Sequence, residues 1–373
     1  MTTDRLAEGR VNYLLVSLAA LGTTLPLFLI AAFVGWDVGF SLTLAGLVLA
    51  FTIPVAFEYR ANRTRPRNVQ FLDYRRHHYG STIANACDTH LRRSDRQWTF
   101  EYLRPASATG VDSKEFQLTQ LREAVNADVD AVVILADGQF VDRVFWQTVV
   151  HCQNAGIAIV VLEPPPPREV FEDQGLDPPF FVTSDYCAGG ELIAGAIAHQ
   201  LQTDSQSRAL LLVGPRGSWS GEERSRQMLM RLILDGYQER FDILPISDWC
   251  VTEGRCKEIV EALNAAPTTT RWVIYAADDE HALALHRYLV NETTDLRDRT
   301  WIIGYDASGV EFGSIPAFEF GAAEATIDVD VVEQGREVAR YLVGRRLGRV
   351  RSSRSSVLVA PRLILLSDYL LTR

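Results

Sequence analysis

From residue 68 onward the chain alternates short apolar runs with longer amphipathic stretches, and this alternation restricts the fold more than any other feature. Strands are expected over 69–72, 98–103, 131–135 and 157–162, separated by helices over 80–91, 115–125 and 144–155. After an interruption the pattern resumes. Strands are then expected over 180–183, 209–213, 241–245, 272–276 and 301–304, with helices over 189–201, 222–234, 255–265 and 281–289. Parallel strands need crossover connections, and helices of this length supply them with a right-handed path. Each run of alternation therefore reads as a parallel sheet covered on both faces. The fold class expected is α/β, with two doubly wound parallel-sheet lobes. Ligands of such sheets sit beyond the carboxyl ends of the strands, so the space between the lobes is the expected site.

The interruption itself is proline-rich. Pro164 to Pro167 are consecutive, and Pro178 and Pro179 follow in the next loop. Four prolines in a row form a stiff extended segment that joins neither a helix nor a central strand. It reads as a surface connection or as the link between lobes. At 373 residues the chain also exceeds the roughly 250–300 residues that one core usually holds.

Upstream of the alternation lie two nearly uncharged runs, 11–34 and 38–57, joined only by Gly35, Trp36 and Asp37. Each is about as long as the ~20 residues a helix needs to cross a bilayer. Residues 1–64 are therefore expected to form a membrane hairpin with an Arg-rich juxtamembrane linker, and 65–373 the two-lobed domain. Arg5 and Arg10 precede the first run, and Arg60, Arg63, Arg65, Arg67, Arg75 and Arg76 follow the second. That bias puts both ends on the cytoplasmic side. The expected location is thus the inner or plasma membrane, multi-pass, with the large domain cytoplasmic.

Several segments of the domain resemble the type I periplasmic sugar-binding proteins and, equally, the effector domains of LacI-type repressors. The segments are 128–135 (DVDAVVIL) with 153–162 (QNAGIAIVVL), then Phe181-Val182-Thr183-Ser184-Asp185 with Gly189-Gly190 and Ala194-Gly195. Tyr275-Ala276-Ala277-Asp278-Asp279, Ile302-Ile303-Gly304-Tyr305-Asp306 and Ala325-Thr326-Ile327 follow in the family's order. The resemblance spans about four-fifths of the chain. It implies three crossovers between lobes, with the first lobe at about 68–176 and 329–351 and the second at about 177–328 and 352–373. A final strand over 356–365 would close the second lobe. It also implies the periplasmic or extracellular side, against the arginine bias.

Sugar recognition asks for carboxylates that accept hydroxyl hydrogens, a guanidinium that bridges oxygens, and aromatic faces. His78 and Tyr79 follow the first strand, Asp137 the third, and Glu163 ends the fourth. Arg224 opens the helix after the glycine-rich loop, and Asp278 and Asp306 end two later strands. These seven are the candidate ligand-binding residues. His78 and Tyr79 read equally as clamp or as loop packing, and Asp278 and Asp185 read also as helix N-caps. The resemblance implies Asp-Arg where Glu163-Pro164 stands and a polar contact where Val329 stands. The cleft is then acidic with Arg224 its principal cation, suited to a polyol, neutral sugar or amine. Removing Arg224 or Asp306 is expected to leave folding intact and abolish ligand-induced stabilisation.

Other classes are disfavoured. A net charge of −10 opposes nucleic-acid binding. Gly214-Pro215-Arg216-Gly217 lacks the lysine and hydroxyl of a phosphate-binding loop, and no nucleophile elbow or zinc-protease motif occurs. The five cysteines form no C-x-x-C pair, which points to a reducing compartment and no zinc. No cofactor is called for. The expected function is membrane-anchored, non-catalytic binding of a small polar ligand, as solute-binding protein or sensor. The partners would be the bilayer, a transporter permease or signalling protein, and a second copy in a homodimer. A ligand-free scaffold is the alternative, with an enzyme using cleft carboxylates behind it.

Overall fold

The computed structural model describes residues 67–74, 78–95, 97–105, 110–127, 129–136, 142–246, 253–292, 294–307, 322–346 and 356–371. The two uncharged runs at 11–34 and 38–57 lie outside them. Among the described residues no helix is long and apolar enough to cross a membrane.

The first sheet is built from β1 (Arg67–Asp73), β2 (Trp98–Leu103), β3 (Ala131–Leu135), β4 (Ala158–Glu163), β5 (Phe180–Ser184) and β11 (Ser356–Val359). Its order is β11-β5-β4-β3-β1-β2, and its pairings are parallel. Every residue of β3 and β4 is buried, as expected of strands covered on both faces. The covering helices are α1 (His78–Ser94), α2 (Gly110–Asn126), α3 (Arg143–Asn154) and the short α4 (Arg168–Glu172). Helix α3 turns Phe145, Trp146, Val149, Val150 and Cys152 inward at helical spacing. Its start is fixed by Asp142, whose carboxylate accepts the Phe145 amide at 3.0 Å.

The second sheet contains β6 (Arg208–Val213), β7 (Phe241–Pro245), β8 (Trp272–Tyr275), β9 (Thr300–Ile303), β10 (Ala325–Asp328) and β12 (Arg362–Leu365), in the order β12-β10-β9-β8-β6-β7. Only β12 runs antiparallel, pairing Ala325 with Leu365. Helix α5 (Tyr186–Thr203) packs on α6 (Trp219–Leu234), while α7 (Glu253–Asn264), α8 (Asp279–Glu292) and α9 (Thr294–Asp298) follow in chain order. Helix α10 (Val331–Arg346) returns to pack on α1 of the first lobe, and α11 (Leu366–Leu371) ends the described chain.

Three crossovers therefore join the lobes, between β5 and α5, β10 and α10, and β11 and β12. They differ from the sequence expectation in two ways. The boundary expected near 176 moves past residue 184, because Phe180–Ser184 pairs with β4 and β11 of the first sheet. The prolines at 164–167 thus lead into α4 inside the first lobe. The strand expected over 356–365 is two strands in different sheets. Pro361, which has no N–H to donate to a ladder, lies in the break between them. The crossovers are tied to each other: the Asp185 amide donates to the Val359 carbonyl at 2.8 Å, and Arg362 pairs with Asp328 at 2.6 Å.

One apolar cluster runs through both lobes, from Val69 and Phe71 of the first sheet through Tyr79, Tyr186 and Tyr305 to Leu211 and Ile303 of the second. It places aromatic side chains between the sheets, where the candidate site lies.

Candidate functional site

On the first-lobe side, the ends of β1 and β4 present two buried carboxyls. Asp73 accepts the Tyr102 hydroxyl at 2.5 Å. Its neighbour Gly80 has no room for a side chain, since a Cβ there would fall 2.0 Å from Asp73 Oδ2. Glu163 ends β4, and its Oε1 accepts the hydroxyl of Tyr186 and lies 3.4 Å from that of Tyr79. Tyr79 comes from the first turn of α1. Its hydroxyl is 3.2 Å from that of Tyr186 and donates to Gln334 Oε1 at 3.1 Å. Gln334 in turn donates its amide to the Val329 carbonyl at 2.9 Å, which fixes which end of the amide faces Tyr79. Burial pushes the Glu163 carboxyl up to about 7, with the Tyr186 hydrogen bond opposing the rise and Asp306 adding to it.

On the second-lobe side, Arg224 projects from the first half of α6 and is 2% exposed. Its Nη2 donates to the Ala277 carbonyl at 2.7 Å, and Nη1 lies 3.6 Å from Asp306 Oδ1. The guanidinium carbon stands 4.1 Å from the centre of the Tyr305 ring, within cation–π range. Asp306 and Ala307 both have positive φ, at 92° and 39°. Non-glycine residues held there store roughly 1–3 kcal/mol each, and the turn is anchored where Asp306 bridges to Asp328.

Aromatic rings join the two sides. Tyr186, at the start of α5 just past the first crossover, lies over Tyr305 with ring centres 6.3 Å apart and planes at 29°. Trp219 meets Tyr186 edge-on at 5.5 Å and Phe181 at 5.8 Å. Gly189, one turn along α5, makes the close approach possible: a Cβ there would meet the Tyr305 hydroxyl at 2.3 Å. Tyr275, at the end of β8, buries its hydroxyl with no hydrogen-bond partner, and burial pushes it up to about 12.

Of the residues singled out from the sequence, Tyr79 and Glu163 therefore meet on one side, and Arg224 and Asp306 on the other. Asp278 is engaged as the cap of α8: one carboxylate oxygen accepts the His281 amide at 2.7 Å and lies 2.6 Å from its ring Nδ1. Asp185 caps α5 in the same way through the Ala188 amide. His78 opens α1, and Asp137 lies outside the described residues. The sequence did not point to Tyr186, Tyr305, Trp219 or Gln334. Tyr186 directly follows Asp185 and Tyr305 directly precedes Asp306, and that adjacency is the signal the sequence carries. An open depression of about 450 Å³ lies nearby on the second lobe, bounded by Trp219, Ser225, Leu229 and Pro245; it shares only Trp219 with this cluster.

Arg224 also corrects an expectation about folding. It is a buried, paired cation, so deleting it would strand Asp306 in a desolvated setting and destabilise the protein.

No family model matches the chain, and no curated protein does. Solved structures do. An ABC transporter periplasmic solute-binding protein from Actinobacillus succinogenes with bound D-allose superposes with a TM-score of 0.66 at 19% identity, over 82% of this chain and 99% of that one. An ABC transporter solute-binding protein from Bacillus halodurans with bound myo-inositol gives 0.63 at 16% identity, over 83% and 98%. A periplasmic ribose ABC transporter protein from Conexibacter woesei gives 0.63 at 16%, over 83% and 96%. At these identities the likeness is one of fold, and the fold is that of the type I periplasmic binding proteins. The multi-pass membrane location expected from the sequence is corrected here. The Actinobacillus and Conexibacter proteins sharing the fold are described as periplasmic, and no described helix is long and apolar enough to span a bilayer.

Proposed function

We propose that the chain is a non-catalytic binding protein that takes a small uncharged sugar or polyol into the space between its lobes. One observation carries this reading: a continuous chain of contacts runs Glu163 to Tyr186 to Tyr305 to Arg224 to Asp306 and spans both lobes. It brings a carboxyl, a guanidinium and stacked aromatic faces to one place, which are the groups that hold sugar hydroxyls and C–H patches. Charge favours a neutral ligand. Arg224 is offset by Asp306, and Glu163 holds its proton up to about neutral pH. The D-allose and myo-inositol bound by proteins of this fold support the class. Closure of two lobes about three short crossovers is the motion such binding would use. Presenting the closed form to a transporter permease is the role in keeping with those proteins' descriptions.

Thermal unfolding with D-allose, myo-inositol and ribose tests it. A ligand at a hundred times its Kd adds about 2.7 kcal/mol, so one of the three should raise Tm by several degrees. Asp306→Asn should remove that rise, read against the variant's own ligand-free Tm, which falls because the buried Arg224 loses its anion. No shift with any of the three would sink the reading. A ligand-free interaction scaffold is the second reading. It is favoured by one observation: Tyr79, Tyr186, Tyr275, Tyr305 and Arg224 are all under 10% exposed and fill the interlobe space themselves.

A further inference from the structure

Tyr186 makes the contacts that a bound sugar would make. Its hydroxyl donates to the Glu163 carboxyl and lies against the Tyr79 hydroxyl, while its ring stacks on Tyr305 and takes the edge of Trp219. The hydrogen count around Glu163 shows how fully that place is used. Tyr79 gives its one hydroxyl hydrogen to Gln334, whose orientation is fixed by Val329, so of the two tyrosines it is Tyr186 that donates to Glu163, beside Ser220. Phe181 and Trp219 close the cluster behind it. Tyr186 also sits immediately after the first crossover, with Asp185 capping its helix, so a change in lobe angle moves it directly.

We infer that Tyr186 is the internal occupant of the Glu163 subsite and the specificity-determining residue of the cleft. A ligand enters only by offering a hydroxyl that replaces the tyrosine's on Glu163 and a ring face that replaces its stack on Tyr305. This rests on the sugar-binding reading and narrows it to polyhydroxylated rings. Apolar rings and charged small molecules do not displace it. No bond is made or broken beyond the exchange of hydrogen-bond partners.

The test compares the full chain with its Tyr186→Phe variant, which keeps the ring and its packing and deletes the hydroxyl. Titration calorimetry with D-allose and myo-inositol should show the variant binding about tenfold tighter, equivalent to about 1.4 kcal/mol, because the ligand no longer breaks a hydrogen bond to enter. Equal or weaker binding by the variant, where the unaltered chain binds, overturns the inference and leaves the sugar reading in place. Binding by neither chain removes the sugar reading, and the Tyr186 inference with it. A second readout needs no ligand. In protein labelled with carboxyl ¹³C-glutamate, with Glu163 assigned by Glu163→Gln, the variant should titrate at higher pH, since the Tyr186 hydrogen bond holds the value down against burial. Tyr79, Gln334, Ser220, Asp306 and Arg224, the other groups around Glu163, are unchanged in the variant. An unmoved titration overturns the occupancy whatever the calorimetry gives.

Discussion

The two halves of the site solve the burial of charge in opposite ways. On the second lobe an arginine is buried and kept charged, by an ion pair with Asp306, a carbonyl at 2.7 Å and the face of Tyr305. On the first lobe a carboxyl is buried against the hydroxyls of Tyr186 and Ser220, and it holds its proton to about pH 7 instead. A guanidinium stays charged under any physiological condition, so it must be paired. A carboxyl has the second option of becoming neutral. The first half is therefore sensitive to pH and the second half is not.

The sharpest way to break this comparison is Arg224→Ala. It leaves Asp306 buried without its cation, for a loss of about 3–5 kcal/mol in urea unfolding. A loss under 1 kcal/mol would show that the pair is solvated and the contrast false. The pH dependence of stability tests the other half. Glu163 rises from 4.5 unfolded to about 7 folded, so in that window the folded chain binds more protons and stability falls as pH rises. The contribution is full below pH 4.5 and lost by about pH 7, at most roughly 3 kcal/mol. Asp279 and Asp328, both raised by burial, slope the same way. The measurement is therefore the difference between the native chain and Glu163→Gln, which should be flatter across that window. Arg224→Ala should not flatten it. The smallest effect is expected from Tyr79→Phe, which deletes one neutral hydrogen bond to Gln334 at about 1 kcal/mol. A loss above 3 kcal/mol would mean that Tyr79 holds the Glu163 proton as well.

Much of this was legible in the sequence, for reasons that also explain what was not. Strands β3 and β4 are short apolar runs between amphipathic helices, and their period alone identifies them. Glu163 and Asp306 stand at strand ends, which in a doubly wound sheet must face the cleft. Arg224 opens the helix after a glycine-rich loop, a position where the helix dipole disfavours a cation. Which strand pairs with which is a different kind of information. Phe180–Ser184 reads equally well as the last strand of one sheet or the first of the next, and only its ladders decide, to β4 on one side and to the distant β11 on the other. Tyr186 and Tyr305 were missed because a buried tyrosine next to an aspartate looks like ordinary core until its hydroxyl is seen to have a destination. Gln334 was missed because it reaches the site from α10, after the chain has recrossed.

Gly189 carries a consequence for how this protein can change over generations. The space its missing side chain leaves is filled by the Tyr305 hydroxyl, 2.3 Å from where a Cβ would stand. An alanine at 189 is thus opposed while 305 is a tyrosine, and loss of the hydroxyl removes the worst contact, leaving ring carbons at 3.2 and 3.3 Å that must give slightly. The two positions lie on elements well separated in the chain, yet they form one heritable unit. In descendants of this sequence, a side chain at 189 and a loss of the hydroxyl at 305 should arrive together, with the second change first.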